Sequence, residues 1–342
     1  MGMMLMIRYP LLKERATIGV TAPSSGVPEE LHGIVKQARK RLEEKGYNIS
    51  IGETVWTDYK AKSAPAKQRA DELNSMLADP EVDIIIPPWG GELLIEILDL
   101  IDYKNIPAKW ILGYSDTSLL LFAITLKTGI ATAHGTNLVD LRGVFSDPTT
   151  AMWETVLKTK NSGSVTQTSS KKFQLKWSHD TPTPCLFHLT EQTEWKSVSG
   201  GSERMAGRLL GGCIDIIHHA AGTPFGDVKA FRETYIPGEP VIWYFENCDL
   251  SATDLRRSLV QLKLAGWFEN CSGLLFGRSD ANHPVEGYTA EDVYSDLAEE
   301  LSVPIVYDID CGHMPPQITF INGAFGEVRY ENGSGTVIQY FK

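Results

Sequence analysis

Paired cysteines are missing from this sequence of 342 residues. The chain has an odd number of cysteines, five, and no two of them form a C-x-x-C pair. A disulfide framework or a structural zinc site would need paired or closely spaced cysteines. We therefore expect reduced thiols, no metal site and a cytoplasmic protein. The cysteines are Cys185, Cys213, Cys248, Cys271 and Cys311.

An excess of positive charge is also missing. The chain has 32 Lys and Arg against 43 Asp and Glu, a formal net charge of -11. Because a nucleic-acid-binding surface needs excess Lys and Arg to contact phosphates, we expect no nucleic-acid partner. No apolar run approaches the roughly 20 residues of a membrane-spanning helix. The apolar start, residues 1–7, lacks the length, basic leader and cleavage site of a signal peptide, so we expect no membrane association.

Two common catalytic motifs are absent as well. The sequence contains neither the G-x-x-x-x-G-K-[ST] motif of nucleotide hydrolases nor the H-E-x-x-H motif of zinc proteases. It therefore implies no cofactor, and the chemistry must come from its own side chains.

Strands and helices alternate in the first half of the chain. Apolar runs at 82–86 and 110–112 predict buried strands, and apolar periodicity predicts helices at about 28–45, 66–77 and 92–100. This alternation predicts an α/β fold with a parallel sheet covered by helices on both faces. Ligands of such sheets bind outside the carboxyl ends of the strands.

Residues 161–201 differ in composition from the rest of the chain, since Ser, Thr and Lys dominate them. We interpret them as a connection between an N-terminal domain, residues 1–160, and a C-terminal domain, residues 202–342. Phe173, Trp177 and Trp195 in this connection could line a substrate site or anchor the connection by burial. In the C-terminal domain, predicted strands end just before Glu246 and just before the segment Asp310-Cys-Gly-His313.

A single serine stands between a predicted buried strand and a predicted helix. The strand ends at Gly113, Ser115 follows, and the helix covers about 119–126 before it stops at Gly129. A serine on such a turn projects from the carboxyl end of the strand, beside helix-opening amides that can stabilise an oxyanion. On local sequence alone, the simpler interpretation is that Ser115 and Asp116 cap the helix, because both residue types are common N-caps.

Three predicted strand ends carry complementary groups: Ser115, Glu246 and His313. A serine hydroxyl needs an imidazole to take its proton, and the imidazole needs a carboxylate to hold its tautomer. The Gly90-Gly91 turn adds backbone amides that can approach a ligand closely, as an oxyanion hole requires. Together these groups predict a serine hydrolase with a nucleophile on the first domain.

Each member of this set also has a structural interpretation. Glu246 could be a surface charge near a helix start, and His313 a loop histidine. His134 and the pair His218-His219 are competing histidines, and the pair lies in an apolar helical stretch where we expect it to be packed. Cys311 is a poor nucleophile candidate for His313, because residues two apart on an extended segment point the same way.

Five short motifs stand out along the chain: Trp89-Gly-Gly91, Gly113-Tyr-Ser-Asp-Thr117, Gly207-Arg-Leu-Leu-Gly-Gly212, Phe245-Glu-Asn247 and Asp310-Cys-Gly-His313. They resemble those of the serine LD-carboxypeptidases, the family that includes a microcin C self-immunity peptidase. The resemblance spans the chain from about Ala16 to its C-terminus.

This resemblance implies the roles of the site residues and the fold. Ser115 would be the nucleophile, His313 the general base and Glu246 its orienting carboxylate, while the amides of Gly91 and Asp116 would form the oxyanion hole. The family fold combines an N-terminal flavodoxin-like α/β domain with a smaller, swivelling-type C-terminal β/α domain. The triad meets at the domain interface, usually in a homodimer without cofactors.

Two branches of the family differ in substrate. One removes the terminal D-alanine from muropeptide tetrapeptides during cell-wall recycling, and the microcin immunity branch cleaves toxic aminoacyl-nucleotides. The sequence resembles the second branch more, so we expect a serine carboxypeptidase or amidase acting on an aminoacyl-nucleotide or peptide. The muropeptide activity is the first alternative, and a non-catalytic binding protein on the same scaffold is the second. An α/β-hydrolase esterase is disfavoured, because Thr117 replaces the second glycine of G-x-S-x-G.

The expected substrate contacts are Trp89, Gly90, Glu92 and Trp177. The Trp89-Gly-Gly-Glu92 stretch differs from the Arg-Gly-Gly-Tyr or Ile-Gly-Gly-Asp that is more usual in the family. Trp177 lies in the connection, where the microcin immunity branch has a tryptophan associated with nucleobase stacking. Residues 178–184 after it depart from the family pattern.

Overall fold

The computed structural model describes residues 5–177 and 181–342, and most of its strands form two sheets. The first sheet has six strands in the order β2-β1-β3-β4-β5-β14, and its first five strands are parallel. This order of the five parallel strands is the flavodoxin-like order. Their bounds are Thr17–Val20 (β1), Asn48–Ile51 (β2), Ile84–Ile85 (β3), Trp110–Gly113 (β4), Thr132–His134 (β5) and Phe320–Asn322 (β14).

Four α-helices accompany the first sheet: α1 (His32–Glu44), α2 (Ala66–Ala78), α3 (Thr117–Thr128) and α4 (Pro148–Leu157). Helix α3 is buried on nearly every side, because it packs against both the first sheet and the long strand β10 (Glu203–Cys213) of the second sheet. Its end at Gly129 (φ 66°) is the left-handed stop that the sequence predicts. The helix after Ser115 is therefore held from both sides.

The predicted helix at 92–100 is a 3₁₀ helix, Leu94–Leu100, rather than an α-helix. The Leu94 amide donates to Asp116, and the Leu93 carbonyl accepts both from Arg69 and from the Glu96 amide of the same turn. Further 3₁₀ turns cover Glu29–Leu31, Glu53–Trp56, Leu138–Leu141 and His218–Ala220.

The second sheet has eight strands in the order β6-β16-β15-β10-β11-β12-β13-β9. Strands β10 to β13 are parallel, and the others pair antiparallel. The remaining bounds are Ser164–Thr168 (β6), Lys196–Ser197 (β9), Val241–Glu246 (β11), Cys271–Gly277 (β12), Ile305–Ile309 (β13), Phe325–Glu331 (β15) and Ser334–Tyr340 (β16). Its helices are Ile214–Ile217 (α5), Val228–Tyr235 (α6), Ala252–Leu264 (α7) and Ala290–Leu301 (α8).

The segment 161–201 contributes structure of its own. Strands β6 and β9 form the two edges of the second sheet, and a separate hairpin pairs Lys172–Phe173 (β7) with Glu191–Gln192 (β8). Trp195 is fully buried and donates to Asp310 at 2.8 Å, so it anchors this segment. The domain boundaries at 160 and 202 stay a prediction. No helix in the described ranges is long and apolar enough to cross a membrane.

Candidate active site

Ser115 occupies the turn between β4 and α3 in a left-handed conformation. Its φ is 62°, which is uncommon for a residue other than glycine. Asp116, not Ser115, is the N-cap residue of α3, and its side chain makes no capping hydrogen bond in the described part of the chain. A serine in this strained strand-to-helix turn is the arrangement of a nucleophile elbow.

Gly90 and Gly91 lie directly against this turn. A Cβ atom on Gly90 would lie 2.6 Å from the Cβ of Ser115 and 2.8 Å from the amide nitrogen of Asp116. Gly91 has φ 140°, and a Cβ there would collide with Ser25. Only glycine allows so close an approach of the loop after β3. Among the described residues, the Gly91 and Asp116 amides donate to no acceptor.

The Asp116 side chain ties this loop to the serine turn. Its Oδ2 accepts from the Leu94 amide at 2.9 Å and from the Ser24 hydroxyl. Burial raises the pKa of Asp116 to about 6, against the lowering effect of these two hydrogen bonds. The carboxyl group therefore fixes two neighbouring loops around Ser115.

His313 and Glu246 form a hydrogen-bonded pair. His313 Nδ1 lies 2.7 Å from Glu246 Oε2, and Glu246, the last residue of β11, is buried. Gly312 makes this approach possible: its φ is 100°, and a Cβ there would lie 2.5 Å from Oε2. The predicted strand ends at Glu246 and at Asp310-Cys-Gly-His313 thus meet.

The pKa values of the pair shift in opposite directions. Burial opposes the charged form of both groups, but the attraction and hydrogen bond between them outweigh it. The pKa of Glu246 is lowered, and the pKa of His313 is raised well above its ordinary value, with a contribution from the nearby Cys248 thiol. The ionised carboxylate accepts from Nδ1–H and leaves Nε2 as the nitrogen that can take a proton.

Ser115 and His313 line one cleft of about 350 Å³, here called the serine cleft. Among the described residues, Ser115 Oγ makes no hydrogen bond with the imidazole; such bonds are often long in unliganded enzymes and tighten with substrate. The other lining residues are Ser25, Gly26, Pro28, Asp58, Trp89, Gly90, Gly91, Tyr114 and Asn137.

The charged side chain that lines the serine cleft is acidic. Asp58 is its one carboxylate, and neither Lys nor Arg is among the described residues that line it. Burial and then the neighbouring Glu30 raise the pKa of Asp58, although a hydrogen bond from the Gly26 backbone opposes the shift. A positively charged substrate group would therefore find a partner here.

Of the other residues that the sequence predicts to contact substrate, some line the serine cleft and others do not. Trp89 lines it and donates to the Gly26 carbonyl at 3.1 Å. Trp177 donates to the main-chain carbonyl of His313 at 3.0 Å. Glu92 is exposed and is not among the lining residues, so its contact with substrate stays a prediction. Of the divergent stretch 178–184, residues 178–180 lie outside the described residues.

The competing histidines differ in burial. His134, at the end of β5, is fully buried, with Nε2 3.9 Å from Glu246 Oε1. It lies at the same strand edge as Ser115. The rule that ligands bind outside the carboxyl ends of parallel strands could therefore have assigned His134 to the site. The expectation of a packed His218-His219 pair is wrong for His219, which is exposed, while His218 is half-buried. In the described ranges, no group of three His, Cys, Asp or Glu side chains could hold a metal ion.

Family models match most of the chain. The model of the LD-carboxypeptidase N-terminal domain matches residues 18–135, and that of the C-terminal domain matches residues 206–328. The chain belongs to the LD-carboxypeptidase family. The resemblance inferred from the five motifs is thereby confirmed.

Named relatives fall in both branches of this family. The chain is 24% identical to the microcin C7 self-immunity protein MccF of Escherichia coli, over 99% of this chain and 98% of MccF. It is 26% identical to a protein of Bacillus subtilis named "Probable murein peptide carboxypeptidase", over 92% of this chain and 88% of that protein.

Solved structures share the two-domain fold. MccF in complex with glutamyl sulfamoyl guanosine superposes with a TM-score of 0.79 at 21% identity, covering 98% of this chain and all of that one. A muramoyltetrapeptide carboxypeptidase from Oxalobacter formigenes gives a TM-score of 0.72 at 20% identity, covering 95% and 99%. At these identities, the superpositions establish the fold.

Proposed function

We propose that this protein is a serine carboxypeptidase or amidase that forms an acyl-enzyme on Ser115. One observation supports this above all others. A serine held in a left-handed turn and an imidazole bonded to a buried carboxylate line the same cleft. Nucleophile, base and orienting group are the three parts that acyl transfer requires.

The proposed reaction has two halves. His313 Nε2 takes the proton of Ser115 as Oγ attacks the carbonyl carbon of the substrate amide. The imidazolium then gives that proton to the leaving nitrogen, the C–N bond breaks, and the acyl group stays on Oγ. Water then gives a proton to His313 Nε2 as its oxygen attacks the ester carbon; the C–Oγ bond breaks, the proton passes from the imidazolium to Ser115 Oγ, and the acid is released. Glu246 stabilises the imidazolium in both halves through its 2.7 Å contact with Nδ1.

The proposed oxyanion hole consists of the Gly91 and Asp116 amides. Both belong to the two turns that meet at Ser115, and both amides are free of acceptors within residues 5–177 and 181–342. Asp116 helps to hold them, since its carboxyl group binds the Leu94 amide three residues beyond Gly91. Preorganised donors of this kind are worth about 10²- to 10³-fold in turnover.

We propose an aminoacyl-nucleotide as the preferred substrate. MccF is one of the relatives that match nearly the whole chain, and its structures include complexes with glutamyl sulfamoyl guanosine and aspartyl sulfamoyl adenosine. The charge of the serine cleft agrees with this choice, because an aminoacyl group carries a free ammonium that Asp58 can attract.

The murein peptide named for the Bacillus subtilis relative is the alternative substrate. A terminal D-alanine presents a carboxylate, which proteins usually bind with Arg or Lys. Neither residue type is among the described residues lining the serine cleft, which disfavours a D-alanine terminus and, by the same argument, an aminoacyl-nucleotide with an acidic side chain. A homodimer in the cytoplasm and the domain boundaries stay predictions.

The test is a mass-spectrometric assay of purified protein on two substrates, with Ser115→Ala as control. An aminoacyl-sulfamoyl adenosine should release its amino acid, and an L,D-tetrapeptide muropeptide should lose D-alanine slowly or not at all. Faster cleavage of the muropeptide would assign the cell-wall activity instead. Binding without cleavage of either would favour a non-catalytic binding protein.

A further inference from the structure

Two buried polar atoms behind Glu246 face each other without a hydrogen-bond partner. They are His134 Nε2 and Glu246 Oε1, which lie 3.9 Å apart, and neither atom has a partner within hydrogen-bond geometry in the described part of the chain, although the nearby Cys213 thiol also helps to lower the pKa of Glu246. Both side chains are fully buried. Unpaired polar atoms are costly in such surroundings and are uncommon in folded proteins. The pairing of these two atoms with each other would remove both costs.

The surroundings of His134 determine which nitrogen carries its proton. Burial lowers the pKa of His134 to about 4, so the ring is neutral at ordinary pH. Cys311 Sγ lies 4.0 Å from the other ring nitrogen, Nδ1, and burial keeps this thiol protonated by raising its pKa. A thiol can donate its proton toward Nδ1, and the ring then carries its own proton on Nε2, facing Glu246.

We propose that His134 is a positioning residue for the triad: it donates from Nε2 to Glu246 Oε1 and so keeps Oε2 on His313. The resulting chain runs from the Cys311 thiol through His134 and Glu246 to His313. This inference rests on the proposed function, because it assigns a role behind the proposed general base.

The 3.9 Å separation is longer than a hydrogen bond, so the proposed contact requires the two side chains to approach by about 1 Å when His313 becomes protonated. The imidazolium of His313 attracts Glu246 Oε2. A second donor, His134 Nε2, on Oε1 then keeps the carboxylate from rotating away from His313. Hydrogen bonds in a buried, low-dielectric network strengthen one another. His134 does not line the serine cleft, so its effect should appear in turnover rather than in substrate binding.

The test compares His134→Gln with His134→Met, two side chains of similar length. Gln keeps an N–H donor near the position of Nε2, and Met has none. We expect Met to lower kcat about 10- to 100-fold with KM little changed, as for partners that orient metal-bound histidines, and Gln to restore most of it. Thermal unfolding of both variants verifies that they fold.

Equal kcat losses in folded Gln and Met variants, or no loss in Met, would overturn the inference. A second pair covers the case in which neither variant folds. Cys311→Ser keeps a donor toward Nδ1 and should retain kcat, whereas Cys311→Ala should lower it; equal behaviour of this pair also contradicts the inference. Ser115→Ala distinguishes failure of the proposed function from failure of the inference about His134. If Ser115→Ala remains active, the proposed function fails. If Ser115→Ala is inactive but the His134 and Cys311 variants keep full activity, only the role of His134 fails.

Discussion

The indole nitrogen of Trp177 donates a hydrogen bond of 3.0 Å to the main-chain carbonyl of His313. Trp177 belongs to the segment 161–201, so this bond joins that segment to the loop of the proposed general base. The ring also packs edge-on against Phe187, with centroids 5.7 Å apart, and the residue remains 38% exposed. The tryptophan can thus anchor His313 while part of its surface stays accessible.

Replacement of Trp177 by Phe keeps an aromatic ring and removes the N–H donor. Because a typical hydrogen bond contributes about 1 kcal/mol, we expect kcat to fall about fivefold on every substrate. Trp177→Ala should in addition raise KM for a nucleotide substrate if a base stacks on the ring. Steady-state kinetics with an aminoacyl-sulfamoyl adenosine and a simple aminoacyl amide test both effects. An unchanged kcat in the Phe variant would rule out the anchoring role.

Glu246→Gln should move the acid limb of the pH profile to lower pH. The base acts only when it is unprotonated, so kcat/KM rises as the pH passes the pKa of His313. Glu246 raises that pKa, and removal of its charge lowers it. Turnover should fall, but less than in Ser115→Ala. A pH–rate profile measures the shift, with the exposed Glu299→Gln as control; an unmoved limb would contradict the pairing.

Gly90→Ala should reduce turnover without unfolding the protein. The added Cβ would press on Ser115 and on the Asp116 amide, so we expect a loss of about 10²-fold or more, as for a displaced oxyanion donor. Gly33→Ala on the exposed side of α1 is the matched control, because its Cβ would meet no atom within 4 Å. The control should keep full activity. Near-native kcat in Gly90→Ala would argue against this oxyanion hole.

Asp58→Asn should weaken the binding of substrates with a free α-ammonium. Because Asp58 is exposed, a charge pair there is worth at most about 1 kcal/mol, so KM should rise up to about fivefold. The N-acetylated form of the same substrate has no ammonium and should show no difference between wild type and variant. Equal changes for both substrates would show that Asp58 acts on cleft shape rather than on charge.

Local patterns predicted the elements that position the site. The apolar run before Gly113, the helix stop at Gly129 and the strand end at Glu246 all lie where the sequence predicts them. These features depend on residues near each other in the chain, where periodicity and glycine positions are informative.

Features that depend on distant contacts were not predictable in this way. The 3₁₀ segment Leu94–Leu100 is one example, since its start is hydrogen-bonded to Asp116 and Arg69, which are both more than 20 residues away in the chain. The place of His134 behind Glu246 requires two sheets to meet, since one residue ends β5 and the other ends β11. The rule for the carboxyl ends of parallel strands could place His134 near the site, but a single sequence contains no signal for its approach to Glu246.

The most direct test of the central proposal is labelling with a fluorophosphonate, which reacts with activated serines. Intact-mass spectrometry followed by peptide mapping should find one probe per chain, attached to Ser115, and none in Ser115→Ala. Labelling should slow strongly in His313→Ala, because the base that activates Ser115 is lost. A folded wild-type protein that stays unlabelled, or one labelled at another residue, would contradict the account.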